Sequence, residues 1–136
     1  MNWVIDTCVV IDVLEDDPKF GARSANLLEE KKSEGLEISP ITHVELAPAF
    51  LGNLVEQRRF LDLAGIVYGQ TWTTRDTETA HHHWHLHVKR RRDGSIPKRP
   101  IADILIGAYA SGRRGLITRN AEDFRKNFPK LIIIEP

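Results

Sequence analysis

The stretch WVIDTCVVIDVL, residues 3–14, decides the fold. Trp3-Val4-Ile5 is a short apolar run that reads as a buried strand, and Asp6 ends it. From Thr7 onward Cys8, Val9, Ile11, Val13 and Leu14 follow a helical pattern, which Asp16-Asp17-Pro18 stops. A strand that passes through one acidic residue directly into a helix is how an α/β chain begins.

Working outward, the same alternation continues. Ala22, Ala25, Leu27 and Leu28 sit on a charged helix running to Ser33, with Gly35 as its stop. Leu36–Ile38 alternates as a strand, and Ser39-Pro40 opens the next helix with serine as cap and proline in the first turn. Gly52-Asn53 breaks that helix, Val55–Ala64 forms another, and a strand lies within Ile66–Trp72, placed near its end at Gln70–Trp72. A long polar helix runs from about Thr74 to Arg92, ended by Asp93-Gly94. After the loop Ser95–Pro100 come an apolar helix, Ile101–Ser111, and a strand at Gly115–Thr118. A short helix at Ala121–Phe128 and a strand at Leu131–Ile134 close the chain. Strands alternating with helices predict a mostly parallel central sheet flanked by helices on both faces, as one domain over residues 1–136.

Composition agrees with a globular chain: 136 residues, 41% hydrophobic and 28% charged. No apolar run approaches the roughly 20 residues of a membrane span, and no signal peptide opens the chain. A single cysteine, Cys8, excludes an internal disulfide framework and favours a reducing, cytoplasmic setting. The 19 basic and 19 acidic residues balance, yet unevenly along the chain. Residues 1–68 carry 6 basic and 12 acidic side chains, residues 69–136 carry 13 and 7. That split permits an acidic site beside a basic rim, which would attract a phosphate polyanion.

In open α/β sheets ligands bind beyond the carboxyl ends of the strands. Four acidic residues fall there. Asp6 follows the first strand, Glu45 lies in the second turn of the helix after Leu36–Ile38, Asp103 begins the Ile101–Ser111 helix, and Asp123 follows the 116–118 strand by one turn. Each also has a structural reading. Asp6 could cap the next helix, Thr42-x-x-Glu45 fits a capping box, Asp103 complements a helix dipole, and Asn120-x-x-Asp123 resembles a cap pair. Caps do not explain the combination. Two like charges about 4 Å apart cost on the order of 4 kcal/mol at an effective dielectric of about 20, and a divalent cation would neutralise such a cluster. An all-oxygen, carboxylate-rich site suits Mg²⁺ or Mn²⁺ rather than zinc.

The blocks VIDTCVVIDVL (4–14), ITHVELAPAF (41–50), IADILIGAYA (101–110) and LITRNAEDF (116–124), with a GSIP loop (94–97) before the third, resemble the signature blocks of the PIN domain. They are similar in particular to VapC-type toxins of bacterial and archaeal toxin–antitoxin pairs, over nearly the whole chain and in the family's order. The resemblance implies a PIN-like fold and a metal-dependent endoribonuclease (a hydrolase). Asp6, Glu45, Asp103 and Asp123 match the family's acidic positions, with Asp6, Asp103 and Asp123 holding Mg²⁺ or Mn²⁺ and Glu45 binding directly or through water. Thr7 matches the hydroxyl residue that follows the first aspartate, and Thr118 and Asn120 the polar pair before the last. The implied partners are an RNA substrate, a small antitoxin and a second copy of the chain. Two departures from the family pattern stand out: KRP (98–100) before the aspartate helix, and a shortened end to that helix at Gly112-Arg113-Arg114.

Among basic residues, Lys89–Arg92, Lys98, Arg99, Arg113, Arg114 and Arg119 are candidates to line an RNA path; Arg119, beside the last acidic block, is the first choice. Lys89–Arg92 also reads as the solvated end of a helix. Trp72 and Trp84 are candidates for base stacking or for the core. The run His81-His82-His83-Trp84-His85-Leu86-His87 places histidines at i, i+4 spacing, which can bind a transition metal, but Ala80, Trp84 and Val88 make a buried stripe that leaves the histidines around it exposed. Cys8 reads as a packing residue, since no base partner accompanies it. Two other readings compete: a catalytically silent PIN-like module that binds RNA or protein, and a phospho-receiver domain. Against the latter, no lysine follows the last strand.

Overall fold

The computed structural model describes every residue from Met1 to Pro136 except Ser95, so that position of the 94–97 loop lies outside the described residues. Five short strands make one sheet: β1 (Trp3–Ile5), β2 (Leu36–Glu37), β3 (Ile66–Val67), β4 (Gly115–Ile117) and β5 (Ile133–Ile134). All pairings are parallel, in the order β3-β2-β1-β4-β5. Helices fill every crossover: α1 (Thr7–Leu14) and α2 (Gly21–Lys31), then α3 (Pro40–Glu45) and α4 (Leu54–Leu63), then α5 (Thr74–Arg92) and α6 (Ile101–Ser111), and finally α7 (Ala121–Asn127).

Because both faces are covered, the sheet separates two cores. Trp3, Ile5 and Ile117 point to one face, against Val9, Val10, Leu28, Leu46 and Leu61. Val4 and Leu116 point to the other, against Ile104, Ile106, Tyr109, Phe124 and Phe128. Glu37 also points to that second face, where the Tyr109 hydroxyl donates to its carboxylate; both residues are buried. No described helix is long and apolar enough to cross a membrane.

The element boundaries differ from the sequence reading in a few places. The third strand is Ile66–Val67, not Gln70–Trp72. Helix α4 ends just before Gly65, at φ +72°, so the chain enters the sheet at once; Gly69, at φ +76°, then turns it out. Trp72 ends up stacked on Tyr109, with centroids 6.1 Å apart, outside the strand. The helix after Ser39 is a short α3 followed by a 3-10 turn, Ala47–Phe50, because Pro48 lacks the amide a continuing α-helix needs. The helix expected to reach Ser33 changes at Lys32 into a 3-10 turn that ends at Gly35, whose φ of +98° suits glycine.

Chain order reverses between β1 and β4: β2 and β3 extend the sheet on one side, β4 and β5 on the other. The carboxyl ends of two strands that diverge in this way flank a crevice, the usual location for a ligand in an open α/β sheet.

Candidate active site

Asp6 leaves β1 at that crevice and is 5% exposed. Its side chain does not cap α1. Instead Thr118 Oγ1, just past β4, donates to Asp6 Oδ2 at 2.7 Å, and Cys8 Sγ donates to the same oxygen at 3.3 Å. Burial raises the Asp6 pKa, while the bonds from Thr118 and Cys8 pull it back. Thr118 Oγ1 also accepts the Asn120 amide at 3.0 Å, which shapes the entry to α7. The thiol of Cys8 is pushed up to about 12, by burial first and by the Asp6 charge second, so it remains protonated and serves as a donor.

Glu45 is the last residue of α3, and Thr7 Oγ1 donates to its Oε1 at 2.7 Å. Thr7 Oγ1 also lies 2.9 Å from Thr42 Oγ1. The capping box proposed for Thr42 and Glu45 is not formed, because Ser39 caps α3 by accepting the Thr42 amide at 3.1 Å. Asn120 does not cap α7 with its side chain either; its Nδ2 lies 3.7 Å from Cys8 Sγ. Of the four acids, Asp103 and Asp123 do occupy first helical turns, of α6 and α7.

The acids are electrostatically coupled. The Asp103 carboxyl is pushed up to about 6, mainly by burial, then by the charge of Asp6, and further by Glu45 and Asp123; Arg99 opposes the rise. Asp123 is paired with the Arg99 guanidinium. Asp103 thus feels the charges of acids on three segments distant from it in sequence, and Thr7, Thr118 and Asn120 tie those three segments together.

In donor chemistry this set fits a hard divalent cation: every candidate ligand is a carboxylate, and Asp103, raised first by burial, also feels the charges of Asp6, Glu45 and Asp123. As they stand, no three His, Cys, Asp or Glu side chains among the described residues are close enough together to hold an ion.

The basic candidates divide by location. Arg99 reaches the crevice, and Lys98 beside it is exposed. Arg119 is committed to Asp12, a buried carboxylate 2.8 Å from its Nε, and lies over the Phe20 ring. Arg113 and Arg114 precede β4 and so stand at the amino-terminal end of the strands, opposite the crevice. Arg113 pairs with Asp76 at 2.6 Å and covers the Tyr109 ring at 3.6 Å; Arg114 pairs with Glu34 at 3.2 Å. At the end of α5, Arg90 donates to the Lys126 carbonyl at 3.0 Å. Trp72 and Trp84 pack against Tyr109 and His87 respectively.

The histidines require a correction. His81, His82 and His85 are exposed, but His87 is fully buried. The face of α5 that packs inward carries Asp76, Ala80 and His87. His87 Nε2 accepts the Arg99 amide at 3.1 Å, so its proton sits on Nδ1, which faces Asn127 Oδ1 at 3.1 Å. Nothing in the sequence run itself distinguished His87 from its exposed neighbours, since its partners lie 12 and 40 residues away.

No family model matches the sequence, and no curated protein matches it. Solved structures do share the fold. One similar chain belongs to VapBC2 from Rickettsia felis, bound to a DNA fragment from their promoter: 20% identity over 99% of this chain and 98% of that one, TM-score 0.69. Another belongs to VapBC-1 from nontypeable Haemophilus influenzae, with 20% identity, the same coverages and a TM-score of 0.70. The chain thus has the PIN-like α/β fold that its four sequence blocks led us to expect.

Proposed function

We propose that the chain is a Mg²⁺- or Mn²⁺-dependent endoribonuclease and the toxin of a toxin–antitoxin pair acting in the cytoplasm. The observation supporting this reading is at Asp103, near the topological switch point, whose carboxyl is raised by burial first and then by the charges of Asp6, Glu45 and Asp123. The likeness in fold to VapBC chains supports the toxin assignment and a small antitoxin as partner; a second copy of this chain is a further proposed partner.

Asp6, Asp103 and Asp123 would hold the ion, with Glu45 directly or through water. When bound, the ion would supply an activated water and offset charge on the phosphate. Thr118 and Cys8 hold the Asp6 carboxylate in place, and Thr7 orients Glu45. Asn120 links the Cys8 segment to the start of α7, which carries Asp123. Lys98, exposed on the loop before α6, would meet the RNA backbone, with Arg99 and Arg119 beside the crevice; Arg113 lies at the other end of the strands, paired with Asp76.

With water as the attacking group and O3′ as the leaving group, the products would carry 5′-phosphate and 3′-hydroxyl ends. End analysis of cleaved RNA tests this, and cyclic 2′,3′-phosphates would contradict it. One observation favours the alternative, a silent module that binds RNA or protein: Arg99 already supplies a cation at Asp123.

A further inference from the structure

Arg99 belongs to the KRP segment that departs from the family pattern, and its backbone is anchored. Its amide donates to the buried ring of His87, whose other nitrogen faces Asn127. Asn127 lies four residues after Asp123, hence one turn further along the same face of α7. Pro100, which follows, restricts Arg99 to extended backbone and begins α6 at φ −61°. One short span of chain is thus fixed by its main chain to His87 of α5, whose ring also meets Asn127 of α7, while its guanidinium lies against Asp123.

The space that remains is small. Arg99, Asp103, Asn120 and Asp123 surround a cavity of about 20 Å³, room for about one water and not for a hydrated divalent ion.

We propose that Arg99 is an internal counter-ion of the acidic crevice: its guanidinium holds the cation position at Asp123 and must leave before Asp103 and Asp123 can hold a divalent ion. This rests on the metal-centre reading above. Because the main chain is anchored by His87, release needs only rotation of the side chain. A divalent ion would thereby have to compete with the Arg99–Asp123 pair for this position.

The test is Mn²⁺ binding by titration calorimetry on the full chain, comparing wild type, Arg99→Ala, Arg99→Gln and Arg99→Ala/Asp103→Asn, with folding checked by circular dichroism. The proposal predicts that Arg99→Ala and Arg99→Gln bind Mn²⁺ about tenfold more tightly than wild type (about 1.4 kcal/mol), and that the double variant loses this gain. In EDTA, Arg99→Ala should melt below wild type, and with Mn²⁺ it should gain more. Wild-type binding with equal or weaker binding by both Arg99 variants would overturn the counter-ion and leave the metal centre intact. Failure of every protein to bind Mn²⁺ would overturn the metal centre itself and the counter-ion with it.

Discussion

The hydroxyl of Thr118, at the end of β4, donates to the carboxylate of Asp6, at the end of β1, over 2.7 Å. The two strands that flank the switch point are therefore joined by side chains lining the crevice, as well as by their parallel ladder. Both residues are buried, so the bond is shielded from water. Thr118→Val preserves the shape and removes the donor. We expect a loss of about 1.5–3 kcal/mol in urea unfolding, from the usual worth of a hydrogen bond to a charged group, with Thr118→Ser close to wild type. Equal stability of the valine variant would mean that this bond does not hold Asp6.

Asp103 offers a test of charge crowding. Its carboxyl titrates in the fold at about 6 rather than 3.8, chiefly through burial and the Asp6 charge. A raised carboxyl pKa means the folded state binds the proton more tightly than the unfolded one. Metal-free protein should therefore lose stability as pH rises from 3.8 towards 6. At pH 7 in EDTA, Asp103→Asn should be the more stable protein by about 1 kcal/mol, solvent screening included. Adding Mn²⁺ should reverse the order, because only wild type gains from the ion. Thermal melts in both conditions check the crossing, and a variant less stable in EDTA would contradict it.

Cys8 should be chemically quiet. With its thiol pushed up to about 12 and its hydrogen given to Asp6, little thiolate forms near neutrality. Alkylation by iodoacetamide at pH 8 should run at least about 100-fold slower in the folded protein than in urea. Similar rates in the two states would show that the thiol is not held as described.

Glu37 and Tyr109 form a buried contact away from the crevice, between β2 and α6. Burial and the Glu37 carboxylate raise the tyrosine pKa, so the hydroxyl stays protonated and donates. Tyr109→Phe leaves a buried carboxylate without that donor and should cost about 1–3 kcal/mol, measured by urea unfolding. A change below about 0.5 kcal/mol would show that Glu37 finds another partner.

Much of the fold was legible in the sequence because the apolar runs are short and the punctuation is strong. Trp3-Val4-Ile5 before Asp6, Ser39-Pro40 opening α3 and the Ile101–Ser111 helix all lie where the residues imply. Local patterning failed where a partner distant in sequence decides the outcome. Leu36–Ile38 alternates as a strand, yet a sheet covered on both faces buries Glu37 against Tyr109. The Gln70–Trp72 segment has β-forming residues, but Gly65 and Gly69 set the strand's limits and Tyr109 draws Trp72 away. Of the four candidate acids, Asp6, Glu45 and Asp123 were singled out by their places after strands, and Asp103 by its place in the first turn of an apolar helix. The Arg99–Asp123 pair and its His87 anchor were not, because they depend on how α5, the loop before α6 and α7 meet in space.

The most direct test of the account is cleavage of a mixed RNA pool by purified wild type and Asp103→Asn, each with Mn²⁺, Mg²⁺ or EDTA. The account predicts cutting by wild type with either ion, none in EDTA and at least about a hundredfold less by the variant. Equal cutting by both proteins, or cutting that survives EDTA, would contradict a metal centre built on these carboxylates.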